Sequence, residues 1–522
     1  MKAMRVDGKG TMGLSALLLA LLLSGCGHSL SATSVAPRSA SLQAAAAPTN
    51  VVATGAPVTS AVRRTGQYLT DDQGRVLVFH GVNIIRKLAP YWPDTIGATD
   101  AAFLADEGFN AARIGWIWAG AEPSPGQYDD AYMAHILDFN ALLGRYGIRT
   151  LVDFHQDSYS QKGGGDGAPD WATLESSSGA DWQDFWNDKP AADGVGIQTR
   201  FVGLWAHAAQ LLQASPGRVN VMGLDPLNEP NPGNGYTCVP AGSCPSFETG
   251  QLRTFYERLF PAIRSSGLSN IIWFEDEPDH LDFQPAFPAF SDPQVAYSWH
   301  YYCLPTELTS DPGSAFDVYC DQQTSKAVSN ETRYAAQQQW PELIGEFGAN
   351  GAEGAYAKQV DAFDGHFLSW TYWLYYIPNG DPSDPAAGSI LTDSTQPGSQ
   401  SNANQTKLDA LVVPYPQAIA GTPGAYGFDR SSNTMTLSYT PSAVPGTALA
   451  SDALTQIFVP ARHYPTGYSV SVKGATVASA PGAAWLLLRA QPGVSTVQLT
   501  LTPASGGVTQ RPSQTTHFPL PG

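Results

Sequence analysis

Two glutamates carry the clearest chemical signature in this sequence of 522 residues. Glu229 lies in LDPLNEPNPG and Glu346 in PELIGEFGAN; each follows an apolar run and is boxed by Asn, Pro or Gly. Cleaving a glycosidic bond takes two flanking carboxyl groups, about 5–5.5 Å apart for retention of the anomeric configuration and about 6.5–9.5 Å for inversion. One carboxyl must hold its proton near neutral pH while the other stays ionised, so the two need different surroundings. Asn228, beside Glu229, is suited to bonding a sugar 2-hydroxyl, a contact that strengthens in the transition state. Arg113 is suited to keeping Glu346 ionised, because a nearby guanidinium favours the carboxylate.

Such residues act only if the fold gathers them. Short apolar runs at 76–82, 109–114, 148–154, 219–224, 271–274, 295–299, 342–345 and 367–374 alternate with longer segments of helical pattern, the mark of repeated βα units. The segment 129–146 (DDAYMAHILDFNALLGRY) has apolar residues at helical spacing, and Gly147 makes a natural stop. Eight runs predict an α/β fold, a (β/α)8 barrel with long insertions over residues 65–421. The separation of Glu229 and Glu346 spans three βα units, which puts them after the fourth and seventh strands. The other run ends carry Asn83, Arg113, His155 with Asp157, Glu275 with Asp276, His300 with Tyr302, and Trp373. Strand ends of one polarity meet on one face of a barrel, so these residues are expected to converge.

Composition bounds the rest. With 43% apolar and 14% charged residues the chain is globular rather than disordered. A formal charge of −18, with scattered cations, excludes a general affinity for nucleic acid or anionic membranes. Lys2, Arg5 and Lys9 precede an apolar stretch at 14–23, shorter than the ~20 residues of a membrane span. That stretch ends in Leu23-Ser24-Gly25-Cys26, which resembles the bacterial lipobox. Residues 1–25 are therefore expected to be a lipoprotein signal peptide and Cys26 a lipidated membrane tether, with an ordinary signal peptide as the alternative. Residues 26–64, dominated by Ala, Ser, Thr, Pro, Val and Gly, are expected to be a low-complexity linker. The mature protein is expected to be an exported bacterial lipoprotein, membrane-anchored or secreted. Export places Cys238, Cys244, Cys303 and Cys320 in an oxidising compartment, where 238–244 and 303–320 are the simplest disulfide pairs. Zinc is not implied, since no C-x-x-C pair or adjacent His accompanies them. From 422 the pattern turns to short strands with polar turns, clearest in STVQLTLT at 495–502. A small β-sandwich is expected at 422–503, in a supporting role, with a loose tail at 504–522.

The NEP of LNEP and the GEFG that follows resemble the acid/base and nucleophile motifs of clan A glycoside hydrolases, family 5. Within that family GVNIIRK (81–87), DFHQDSYS (153–160) and SWHYYC (298–303) are similar to segments of the endoglycoceramidase subgroup. The resemblance implies a retaining double displacement, with Glu346 as nucleophile and Glu229 as acid/base. It implies that Arg113, His300 and Tyr302 support the carboxylates and that Lys87, His155, Asp157 and Asn228 contact the sugar before the cleavage point. Arg86 competes with Lys87 for its role, and Trp370 competes with Trp373 for the sugar platform. No cofactor or metal is implied, and a monomer acting on glycolipid or oligosaccharide is expected. Endo-β-1,4-glucanase or mannanase activity on polysaccharide is the enzymatic alternative, and a non-catalytic surface carbohydrate-binding lipoprotein the alternative of another class. An insertion at 163–190, rich in Trp and Phe, reads equally as the wall of an apolar channel for a lipid aglycone or as a packed loop.

Overall fold

The structure, a computed structural model, describes residues 60–504 except 176, 237–243, 278–284, 304–314, 349–352 and 379–387. The expected signal peptide, Cys26, most of the linker, Cys238 and nearly all of the tail lie outside the described residues. Eight parallel strands close into a barrel: His80–Ile84, Ala111–Ile117, Arg149–His155, Val221–Asp225, Ile271–Glu275, Val295–Tyr301, Glu342–Phe347 and Ser369–Tyr372. Each pairs with the next, and the eighth pairs with the first through Trp370 and His80. The second strand is buried at every position, which is why such strands read as continuous apolar runs rather than as alternation.

The two faces of each strand do different work. Outward residues such as Ile114, Trp116, Val152, Phe154, Leu224 and Phe274 join the core beneath the surrounding helices. Among inward residues, Phe79, Ala111, Leu151, Met222, Trp273, Ala296 and Leu343 form an apolar layer at the strand starts. Two residues beyond Ala111, Leu151 and Trp273, at the strand period, stand Arg113, Asp153 and Glu275; Asp225, at the end of the fourth strand and opposite Asp153 in register, joins them. The helix Asp130–Gly144 begins where Asp129 Oδ1 accepts the Tyr132 N–H at 2.9 Å. It ends short of Gly147, whose φ of 77° suits a residue without Cβ.

The apolar run 76–82 is not one strand. Val76–Leu77 pairs with Tyr415–Ile419, and only His80–Ile84 enters the barrel. Asn110 bridges the change of sheet, accepting the His80 N–H at 2.8 Å and donating to the Val78 carbonyl at 3.0 Å. Val76–Leu77 belongs to a seven-stranded sheet running Arg63–Thr65, Tyr68–Thr70, Val76–Leu77, Tyr415–Ile419, Thr455–Phe458, Trp485–Ala490 and Ala475–Val477. A four-stranded sheet, Thr422–Asp429, Thr434–Thr440, Val497–Pro503 and Tyr468–Lys473, faces it. Met435, Leu437, Leu499 and Leu501 from one sheet meet Ile419, Ile457, Leu486 and Leu488 from the other. The C-terminal strands thus form the expected sandwich, extended by three N-terminal strands. Arg462 pairs with Glu107 at 3.1 Å and Arg430 with Asp361 at 2.9 Å, joining sandwich to barrel.

Cys303 and Cys320 form the expected disulfide, across 17 residues. Cys244 is also disulfide-bonded. No helix among the described residues is long and apolar enough to cross a membrane.

Candidate active site

Glu346 lies within the seventh barrel strand and Glu229 in the loop after the fourth. Glu229 has φ of 43°, a left-handed conformation uncommon for a residue with a Cβ. It is held on both sides. Its N–H donates to Glu275 Oε2 at 2.7 Å, and its carbonyl accepts from Gln156 Nε2 at 3.1 Å. Carboxyl oxygens of Glu229 and Glu346 and a ring nitrogen of His300 all lie within 4.8 Å of one another. So close an approach is compatible with the separation of a retaining pair.

The surroundings of the two carboxyls differ. Glu346 is 4% exposed; its Oε1 accepts from Arg113 Nη1 at 2.7 Å and its Oε2 from the Tyr302 hydroxyl at 2.8 Å. The Glu229 side chain is 26% exposed, with Oε1 at 2.8 Å from His300 Nδ1. Arg113, fully buried, also bonds Asp225 at 2.9 Å, Asn228 at 2.7 Å and Asn83 at 3.2 Å, and lies 3.1 Å from Asp153 and 3.3 Å from Glu275. Burial opposes its charge, but these carboxylates together hold the guanidinium well above its ordinary pKa. Burial, followed by the field of Glu275, pushes the Asp225 carboxyl well up, and burial also raises Asp153. His300 is likewise opposed by burial, yet Glu275, Glu346 and Glu229 hold it well above the usual imidazole range. Gly345 leaves the ring its place, since a Cβ there would lie 2.7 Å from His300 Nε2.

A second group stands beside this one. His155 bonds Asp153 at 2.9 Å through Nδ1 and lies 3.6 Å from Asp157 through Nε2. Asp157 pairs closely with Lys87, whose Nζ is 4.8 Å from the centre of the Trp373 ring. The Trp373 ring stacks on His155 at 5.2 Å. Despite burial, the Lys87 ammonium and His155 hold the Asp157 carboxyl well below its ordinary value. Burial and the neighbouring Asp157 push Asp166 well up. For His155 the carboxylates of Asp153 and Asp157 outweigh burial and keep the imidazole charged.

The competing assignments separate cleanly. Arg86 turns away to Asp94, while Lys87 enters the site. Trp370 is core, donating to Asp364 at 3.0 Å and stacking on His80, while Trp373 stands at the site. Asp276 points elsewhere, accepting from Tyr297 at 2.7 Å. In the insertion, Trp182, Phe185 and Trp186 are buried at 1%, 1% and 5% exposure and pack on one another. They are therefore core, not the wall of a channel. Four residues that sequence reading passed over also contribute: Asp153, Gln156, Asp166 and Asp225. Asp153 was findable from its place two residues before His155 on an inward-facing strand.

Two acidic groups have ligand atoms close enough for a metal ion: His155 with Asp157 and Asp166, and Glu229 with His300 and Glu346. In both groups the neighbouring carboxylates favour the charged form of the histidine, Asp153 and Asp157 for His155 and Glu275, Glu346 and Glu229 for His300. Lys87 and Arg113 already supply the balancing charge.

An acid pair at this spacing, on the C-terminal face of an eight-stranded barrel, is the equipment of a retaining glycoside hydrolase. Residues 71–377 match the family model described as cellulase (glycosyl hydrolase family 5), and residues 414–502 match the glycoside hydrolase family 5 C-terminal domain. The chain belongs to glycoside hydrolase family 5. It is 32% identical to Endoglycoceramidase I of Rhodococcus hoagii over 460 residues, 82% of this chain and 85% of that protein. Endoglycoceramidase of Cyanea nozakii is 26% identical over 78% of this chain and 85% of its own. The solved structure of Endo-glycoceramidase II from Rhodococcus sp. superposes with a TM-score of 0.68 at 24% identity, covering 84% of this chain and all of that one.

Proposed function

We propose that the chain hydrolyses the β-glycosidic bond joining a glycan, or a single glucose, to a lipid aglycone such as ceramide. The observation that carries this reading is the similarity to Endoglycoceramidase I across most of both chains. The geometry supports the following chemistry. Glu346, oriented by Arg113 and the Tyr302 hydroxyl, attacks the anomeric carbon. Glu229 protonates the departing glycosidic oxygen, then deprotonates the water that releases the sugar from Glu346. Asn228 spends its carbonyl oxygen on Arg113 and one amide hydrogen on the Gln156 carbonyl, leaving a second hydrogen for a sugar 2-hydroxyl. Lys87, His155 and Asp157 offer charged groups to further hydroxyls, and Trp373 offers a ring face.

Incubation with glucosylceramide, lactosylceramide, a steryl glucoside and soluble cellulose tests the aglycone. Release of ceramide from at least one sphingolipid is expected, with little cleavage of cellulose. Cleavage of the polysaccharide alone would overturn the glycolipid reading. The same reading includes a tether: an exported bacterial lipoprotein, monomeric, anchored through lipidated Cys26. Cys26→Ser is expected to move the protein from the membrane fraction to the soluble fraction of expressing bacteria. Equal partition of both forms would remove the anchor from the proposal.

A further inference from the structure

Glu275 ends the fifth barrel strand and is 2% exposed, its carboxylate oxygens both taken up by protein partners. Its carboxylate reaches both halves of the machinery. Oε2 accepts the backbone N–H of Glu229 at 2.7 Å. Oε1 lies 3.1 Å from His300 Nε2 and 3.3 Å from Arg113 Nη2. The Glu275 backbone is itself clamped by Tyr256, whose hydroxyl donates to its carbonyl at 2.8 Å and accepts its N–H at 3.1 Å.

His300 is thus placed between two carboxyl groups, with Nδ1 at Glu229 and Nε2 at Glu275. Nδ1 hydrogen-bonds Glu229, while Nε2 meets Glu275 as a close charge contact at 3.1 Å without hydrogen-bond alignment, and carboxyl groups on both sides of the ring favour the imidazolium. The charged groups facing the ring come from several strands. Asp225 and Glu229 belong to the fourth strand and its loop, Glu275 to the fifth and Glu346 to the seventh; Arg113, on the second, shares Glu275 Oε1 with the ring. Accepting the roles given above to Glu229 and Glu346, we propose that Glu275 is a positioning residue for the hydrolysis. It holds Glu229 by its backbone and, as counter-ion of His300, fixes that ring as a cation between Glu229 and Glu346. A fixed cation there orients the Glu229 carboxyl and stabilises the negative charge that develops on it as its proton passes to the leaving oxygen.

Glu275→Gln separates the two tasks. Its amide oxygen can still accept the Glu229 N–H, but the negative charge that faces His300 Nε2 at 3.1 Å is gone. The full chain labelled in its histidines is titrated by NMR, and kcat and KM are followed against pH on an aryl β-lactoside. In the wild type His300 is expected to keep its proton well above the ordinary imidazole range, whereas in E275Q it loses it at markedly lower pH. In E275Q kcat is expected to fall by about 10–100-fold, part of the ~10²–10⁴ that general acid–base catalysis supplies, with KM nearly unchanged. Its alkaline limb, set by loss of the His300 proton, moves to lower pH. Glu275→Asp keeps the charge, so it lowers kcat while leaving that limb in place. A folded E275Q with the wild-type His300 titration and pH profile would overturn the proposal, as would an E275D limb shifted as far as that of E275Q. If E275Q does not fold, E275D decides alone by the same limb. The titration needs no substrate, so its failure is distinct from a failure of the roles of Glu229 and Glu346.

Discussion

Replacing Glu346 by Ala is expected to lower kcat by about 10⁴–10⁶-fold, the scale on which removal of a covalent nucleophile acts. The same variant is expected to regain turnover in azide. Truncation leaves Arg113 Nη1 and the Tyr302 hydroxyl, now 2.7 and 2.8 Å from the Glu346 oxygens, facing a space of carboxylate size. A small anion fits that space and is drawn there by the guanidinium. Azide then attacks the anomeric carbon from the side Glu346 would have used, so a β-glycoside gives the α-glycosyl azide. Glu229→Ala behaves in the opposite sense on a substrate with a good leaving group. There Glu346 still forms the glycosyl-enzyme, and azide replaces water in the second step, giving the β-glycosyl azide. Anomeric proton couplings distinguish the products. The β product from E346A would exchange the two roles, and wild-type turnover by E346A would end the nucleophile assignment.

The parts of this site that were legible in the sequence share a physical reason. Barrel strands are buried on both faces, so each appears as an apolar run, and the loop chemistry of Asn, Pro and Gly marks where each run ends. Glu229, Glu346, His155 and His300 stand out because they sit at or just past those ends. Asp153 lies inside an apolar run, where a carboxylate reads as an interruption, and Asp225 closes the fourth strand; only the barrel shows that both turn inward to Arg113. Glu275 was visible as a strand-end acid, but its partners come from the second, fourth and sixth strands, and no local pattern encodes that meeting. The apolar run 76–82 concealed a change of sheet, because residues buried in a sandwich and in a barrel have the same composition. The edge strand Thr422–Asp429 carries no apolar alternation in TPGAYGFD, whose one Pro, two Gly and register shift between Pro423 and Ala425 are tolerated at a sheet edge. The aromatic insertion could line a channel or fill a core, and only burial decides between them.

Arg113 is where stability and catalysis meet. Its guanidinium is enclosed by Asp153, Asp225, Glu275 and Glu346, and no water reaches it. Arg113→Met keeps most of the side-chain volume and removes the charge. Leaving buried carboxylates without their partner costs about 3–5 kcal/mol, and the variant is also expected to lose nearly all turnover because Glu346 loses its oriented partner. The pH dependence identifies the cause. Asp153 and Asp225 already have folded pKa values above their unfolded ones, so their contribution is full below the unfolded value and is lost as pH rises through the folded one. Removing Arg113 widens that gap, because the guanidinium was the group opposing it. The loss in melting temperature relative to wild type is therefore expected to be smaller at pH 5 than at pH 8, and net proton uptake should accompany refolding of the variant. A uniform loss at both pH values would mean that Arg113 stabilises the barrel through packing of its stem and not through its charge.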